Sequence, residues 1–403
     1  MRSRAFVVAV VVALVSSAVA CSRGGVGPGR DGGNPTSSAG LDEQLRDAAW
    51  ADDVDAATRL VSQGADVDAK DDTEQSAYLI ATSEGFLDLL ELTLRSGADV
   101  DSKDSWNGTG LIRAAERGHQ LVVGRLLQAG IDRDHVNRIG YQGIHEAVWF
   151  GADAADELST VQALVAGGVE LDRPSEQERL TPLQMARERG YRTLERVLDA
   201  ADRHEPFADP DAALLAAAAR GDADAVALAL RDGADLEARD ESDRTALLLA
   251  VTGDHVEVAR VLVALGAGPD AVDAQQDTPW LVTGVTGSVA MLETLLPAGP
   301  DLTRVNRFGG VSVIPASERG HVDYVRRVVS TDVDVNHVNR LGWTALLEAV
   351  ILGDGGARHQ EIVSVLLGAG ADPSIGDADG VTALEHADRL GHREIAGILR
   401  SAS

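Results

Sequence analysis

The sequence predicts an all-α solenoid of about ten to eleven stacked helix–turn–helix repeats in two related blocks. A Gly-Ala-Asp-like punctuation recurs along it, as Gly64-Ala65-Asp66, Gly97-Ala98-Asp99, Gly130-Ile131-Asp132, Gly233-Ala234-Asp235 and Gly370-Ala371-Asp372. Between these marks the apolar residues fall at helical spacing in two short runs, and neither run can bury its face alone. Above the 33-residue period lies a second one. A shift of 202 residues lays Glu116-Arg117-Gly118-His119 on Glu318-Arg319-Gly320-His321, and His135-Val136-Asn137-Arg138 on His337-Val338-Asn339-Arg340. The composition agrees. Of the 403 residues 44% are hydrophobic but only 3% aromatic, which suits thin helix layers better than one thick core.

Residues 1–20 read as a secretory signal: Arg2 and Arg4 precede the apolar run Ala5–Val15, which is too short to span a bilayer, and Ala18-Val19-Ala20 offers small residues for cleavage. Cys21, the only cysteine, follows directly, where a bacterial lipoprotein is acylated; plain secretion with a free thiol is the competing reading. A single cysteine allows no internal disulfide. The Gly-, Ser- and Pro-rich residues up to Gly40 form a flexible tether between anchor and fold. The chain is therefore expected to be exported, as a cell-membrane lipoprotein on the extracytoplasmic face, or as a secreted or periplasmic protein if Cys21 carries no lipid.

The repeats then divide into blocks 41–206 and 207–403, the second opening with one additional unit, Pro210–Asp240. Gly at the end of each second helix accepts the left-handed conformation that stops it. Thr181-Pro182-Leu183 and Thr278-Pro279-Trp280 open first helices, with Thr as cap and Pro in the first turn. His119, His321 and His392, each after a Gly, are placed to cap carbonyls in the interhelix turn. Units 138–175 and 340–377 both run to 38 residues, the five extra following the first helix. The two-proline segment Ala201–Pro210 interrupts the pattern, but helical spacing resumes at once, so a continuous stack with a slip is expected through it.

With these residues in view the chain resembles the ankyrin-repeat family, whose hallmark is Thr-Pro-Leu-His-x-Ala on a 33-residue period. Thr181-Pro182-Leu183-Gln184-Met185-Ala186 and Thr382-Ala383-Leu384-Glu385-His386-Ala387 carry most of that pattern. The resemblance implies an ankyrin solenoid whose concave face, formed by hairpin tips and first helices, binds another protein. It names no partner.

Charge and motifs narrow the chemistry. With 64 acidic against 36 basic residues the formal charge is −28, a field that repels phosphate backbones, so nucleic acid is not an expected partner. No phosphate loop, nucleophile elbow, His-Glu-x-x-His or cysteine pair is present, and no cofactor or catalytic residue is expected. Asp354, His359 and Glu361 resemble a metal cluster, but the superposed insertion carries Ala152, Glu157 and Ser159, so these groups are expected to be polar residues facing water. His145, at the ankyrin His position, is expected to be structural. The residues singled out for partner binding are Trp106 and Phe308 at hairpin tips, and Tyr141 and Trp343 before the first helix. Around them come Arg138, Glu146, His337, Asn339, Arg340 and Glu348. The expected function is a non-enzymatic protein-binding scaffold; the alternative is a ligand- or metal-dependent enzyme or binding protein sited at the two enlarged units.

Overall fold

The computed structural model describes residues 38–402. The expected signal, Cys21 and nearly all of the tether lie outside the described residues. Within them the chain forms eleven helix pairs. The first block holds Ser38–Trp50 with Val54–Ser62, Ala77–Glu84 with Leu87–Arg95, Gly110–Glu116 with Gln120–Gln128, Gly143–Trp149 with Ala155–Ala166, and Pro182–Arg189 with Arg192–Asp202. The second holds Pro210–Arg220 with Ala223–Arg231, Ala246–Thr252 with Val256–Ala264, Pro279–Thr286 with Val289–Leu295, Val313–Glu318 with Val322–Val328, Ala345–Ile351 with Ala357–Gly368, and Ala383–Leu390 with Arg393–Ala402. We call the first helix of each pair inner and the second outer.

Local chemistry sets these boundaries. The Thr181, Thr278, Thr344 and Thr382 hydroxyls each accept the backbone N–H three residues on, capping an inner helix as the sequence suggests. The punctuating Gly97 and Gly370 sit at φ 89° and 93°, where a β-carbon would be strained. Inner helices within a block, such as Ala77–Glu84 and Ala246–Thr252, are buried on nearly every side because each is sandwiched between two neighbours.

Between pairs the chain projects a finger. Its first Asp or Asn bends the tip by accepting two backbone N–H groups: Asp104 Oδ1 takes those of Trp106 and Gly108, both at 2.8 Å, and Asn339 Oδ1 takes those of Leu341 and Trp343. A second set of carboxylates links one finger to the next, as Asp68 accepts from the Asp99 amide and Asp101 from the Asp132 amide, both at 2.8 Å. Much of the acidic surplus thus caps backbone along the stack. The glycine-linked histidines also work between repeats: His119 Nε2 lies 3.1 Å from the Ser83 carbonyl at the end of the preceding inner helix, and His321 Nε2 lies 3.2 Å from that of Val285.

The expected continuous stack is not what the chain adopts. Inner helices follow one another in order within each block, but the series breaks between Pro182–Arg189 and Pro210–Arg220. The chain turns back there. The outer helix Ala223–Arg231 packs on Ala155–Ala166, and Val256–Ala264 packs on both Ala155–Ala166 and Gln120–Gln128. The blocks therefore lie back to back and antiparallel, in four layers: inner, outer, outer, inner. Ala227 and Leu228 of the second block belong to the first block's core, and Phe207 touches both cores. Polar groups fasten the seam: Gln128 Nε2 donates to the Ala264 carbonyl (3.1 Å), Gln162 Nε2 to Asp224 (2.7 Å), and Arg231 to the Val169 carbonyl (2.9 Å). At the reversal, Asp232 Oδ2 accepts from His204 Nε2 and the Phe207 amide, both at 2.8 Å. Gly124 makes the closest approach, since a β-carbon there would stand 1.9 Å from the Ala264 carbonyl oxygen.

Candidate binding grooves

Because the outer helices face each other, the inner helices and finger tips line a groove on each outward side. In the second block a groove of about 440 Å³ runs across four repeats, walled by Phe308, Leu341 and Leu352 and floored by Asn306, Pro315, Glu318 and Glu348. In the first block a groove of about 420 Å³ lies between Trp50 and Trp106 over Asp104, Arg113 and Glu116. The 202-residue shift carries one lining onto the other, with Trp106 on Phe308, Arg113 on Pro315 and Glu116 on Glu318.

The residues singled out from the sequence separate into two groups. Trp106 (58% exposed) and Phe308 (54%) stand out from the finger tips, and Trp343 is half-buried. Tyr141, expected on an open face, is instead buried. Its ring stacks on His145 at 5.9 Å and meets Trp149 and Phe150, and its hydroxyl donates to Glu178. The remaining polar residues serve the fold. Asn137 Nδ2 donates to Glu146 Oε1 (2.6 Å), and Asn339 Nδ2 to Glu348 Oε1 (2.7 Å), tying each finger to its own inner helix. Arg138 and Arg340 donate to the Ser105 and Arg307 carbonyls of the preceding finger, and His337 Nε2 lies 2.7 Å from the Gly309 carbonyl. Glu146, Asn339 and Glu348 are nearly inaccessible where contact residues were expected; Asn339 and Glu348 form floor of the second groove, and Glu146 lines neither groove.

Both buried glutamates are pushed up to about 7, first by burial and then by repulsion from Glu116 or Glu318; the asparagine hydrogen bond only partly offsets this. His145 is pushed down to about 4 by burial and lies 3.0 Å from the Arg173 carbonyl, a structural role.

The enlarged unit's candidate metal cluster also resolves into structure. His359 is buried and does not face water. Its Nδ1 lies 2.8 Å from Asp354 Oδ1 and its Nε2 lies 3.0 Å from the Glu318 carbonyl, the same bridge that His119 and His321 make. Glu361 pairs instead with Arg326. Among the described residues no three His, Cys, Asp or Glu side chains gather as a metal-holding group. The five extra residues lengthen the outer helix, to Ala155–Ala166 and Ala357–Gly368.

The sequence reading missed Leu341 and Leu352, 54% and 49% exposed at the groove wall, because leucine in an apolar repeat attracts no notice. For Leu341 the signal was position: it follows Asn339 and Arg340 as Phe308 follows Asn306 and Arg307.

A model of ankyrin repeats matches residues 45–137, 183–274, 214–306, 280–377 and 313–403, which is the described chain apart from 38–44 and 138–182. The chain belongs to the ankyrin-repeat family. A putative ankyrin repeat protein of Escherichia coli K12, YahD, is 40% identical over 47% of this chain and 94% of its own length. Mouse ankyrin repeat domain-containing protein 63 is 36% identical over 24% of this chain and 26% of its own. Among solved structures, an ankyrin repeat domain from Acinetobacter baumannii is 46% identical over 47% of this chain and 96% of its own, with a TM-score of 0.46. Ankyrin repeats in general mediate protein–protein interaction.

Proposed function

We propose that this ankyrin-repeat protein is a non-enzymatic scaffold that holds a partner protein against its concave grooves. One observation carries the reading: Phe308, Leu341 and Leu352 stand about half exposed around a groove whose polar floor is largely paired within the chain. Apolar side chains without an internal role are what a protein interface buries. Trp50 and Trp106 give the first groove the same character. The contact set becomes Trp106, Phe308, Leu341, Leu352 and Trp343, with Arg138 and Arg340 at the rim. Export, a lipid on Cys21 and attachment to the outer face of a membrane complete the proposal, supported by the charged, apolar and small-residue run of Met1–Ala20 before a single cysteine.

Affinity capture from membranes with the mature protein tests the scaffold. One stoichiometric protein is expected, lost on Phe308→Ala/Leu341→Ala while the unfolding midpoint stays within about 0.5 kcal/mol of wild type, as for surface substitutions. Capture indifferent to that variant, or substrate turnover by the purified chain, refutes it. Mass spectrometry of the mature N-terminus tests the anchor; an unmodified Cys21 defeats it.

A further inference from the structure

The internal duplication holds one groove in two states of occupancy. In the first block the Arg113 guanidinium lies between two carboxylates, 2.5 Å from Asp104 Oδ2 and 2.8 Å from Glu116 Oε2. It also offsets part of the charge that Glu116 and Asp104 impose on buried Glu146. Block 1 thus fills its acidic floor with its own arginine.

The second block keeps the glutamates, as Glu318 and Glu348, but has Asn306 in place of Asp104 and Pro315 in place of Arg113. The seat is vacant in sequence, and the space above it is part of the 440 Å³ groove. Of the other arginines lining this groove, two are engaged elsewhere and the third meets Glu318 alone. Arg307 pairs with Asp277 (2.9 Å) and covers the Phe308 ring (4.8 Å), Arg244 pairs with Asp240 (2.7 Å), and Arg319 reaches its neighbour Glu318 from the side (3.1 Å). Glu348, only 7% exposed, feels Glu318 more strongly than it feels Arg319. A buried carboxylate with uncompensated repulsion attracts a cation, and a flat guanidinium suits two carboxylates better than a compact ammonium does.

We propose that the second groove takes an arginine side chain from an apolar segment of the partner, its guanidinium seated beside Glu318 and Glu348 at the place that Arg113 fills in the first block, and its flanking side chains on Phe308, Leu341 and Leu352. This rests on the scaffold reading and specifies what the partner presents. The chain's own −28 charge favours a cationic segment over any acidic one.

Isothermal titration calorimetry on the mature chain tests it, using an octapeptide with one central arginine between leucine and phenylalanine, and the same peptide with citrulline, which keeps the shape and loses the charge. The arginine peptide should bind one site per chain, at least tenfold tighter than the citrulline peptide. Glu348→Gln should bring the arginine peptide to the citrulline level, and Pro315→Arg, which places an arginine where block 1 has Arg113, should weaken it at least tenfold. Phe308→Ala should weaken both peptides. Equal binding of the two peptides, lost together in Phe308→Ala, overturns the arginine seat and leaves an apolar docking face standing. Arginine-peptide binding unaffected by Glu348→Gln, or no binding of either peptide, also overturns the seat, while the membrane capture judges the scaffold independently.

Discussion

Placing a single methyl group on Gly124 tests the reversal of the chain most directly. Gly124 lies mid-way along the outer helix Gln120–Gln128, and its absent side chain lets Val256–Ala264 approach. A β-carbon would sit 1.9 Å from the Ala264 oxygen, 2.5 Å from the carbonyl carbon and 3.2 Å from its α-carbon. These are backbone atoms and cannot swing aside, so the blocks must separate by an ångström or more locally. Overpacking of this kind costs about 1–3 kcal/mol. Separation also weakens the 3.1 Å hydrogen bond from Gln128 to the Ala264 carbonyl, a further ~1 kcal/mol. Alanine's helix propensity returns at most ~1 kcal/mol. Gly124→Ala should therefore destabilise by about 1–3 kcal/mol and raise the radius of gyration in small-angle scattering. The control is Gly368→Ala, at a helix end where a β-carbon meets nothing within 4 Å. A Gly124→Ala protein with wild-type urea midpoint and scattering profile would refute the back-to-back packing.

Two further outcomes follow from buried groups. Glu146 and Glu348 hold protons in the folded chain up to about pH 7, against 4.5 for the ordinary group, so between these values the unfolded chain binds fewer protons. Stability should fall as pH rises through that window, by at most about 1.4 kcal/mol per pH unit per carboxylate. Glu146→Gln/Glu348→Gln should match wild type near pH 4.5 and exceed it at pH 8 in urea titrations; a parallel pH profile would be inconsistent with buried, repelled carboxylates. At the reversal, Asp232→Ala leaves the Phe207 amide and His204 without their shared acceptor, which should cost about 1–3 kcal/mol and open residues 203–209 to limited proteolysis. Unchanged cleavage rates would show that the join is held by Phe207 packing alone.

Repeat architecture was legible because it rests on local chemistry: a threonine that caps, a glycine that ends a helix, an aspartate that bends a finger. The doubling of the block was equally plain, since Trp106 and Phe308, or Glu146 and Glu348, align at one fixed shift. The reversal depends instead on which outer faces lose water, and its trace lay in differences between the aligned copies. Gly124 aligns with the exposed Arg326, and the uncharged run Ser159–Ala166 is buried throughout, whereas its copy begins with Glu361 and buries only Ile362, Val363 and Leu366. The same comparison separates Tyr141 from Trp343. Glu178 receives the tyrosine hydroxyl, and its aligned position is Gly380, so one aromatic is drawn inward and the other is not. Alignment reports shared ancestry of a position; burial depends on the neighbour across the fold, which the alignment does not contain.

A linear array of repeats tolerates growth and loss, because an added unit only lengthens the stack. Two arrays joined by a reversal and sealed along their backs do not share that freedom. One repeat inserted into either block beyond the seam's first contact would slide every later outer helix by about one helix spacing, ~8–10 Å, relative to the opposite block. Gly124 would then meet something other than Ala264, and Gln162 would lose Asp224. Within the span where the blocks face each other, the number of repeats is thus held constant by packing, and insertions are accommodated only as the five residues in each enlarged unit are, inside a repeat, where they lengthen its outer helix.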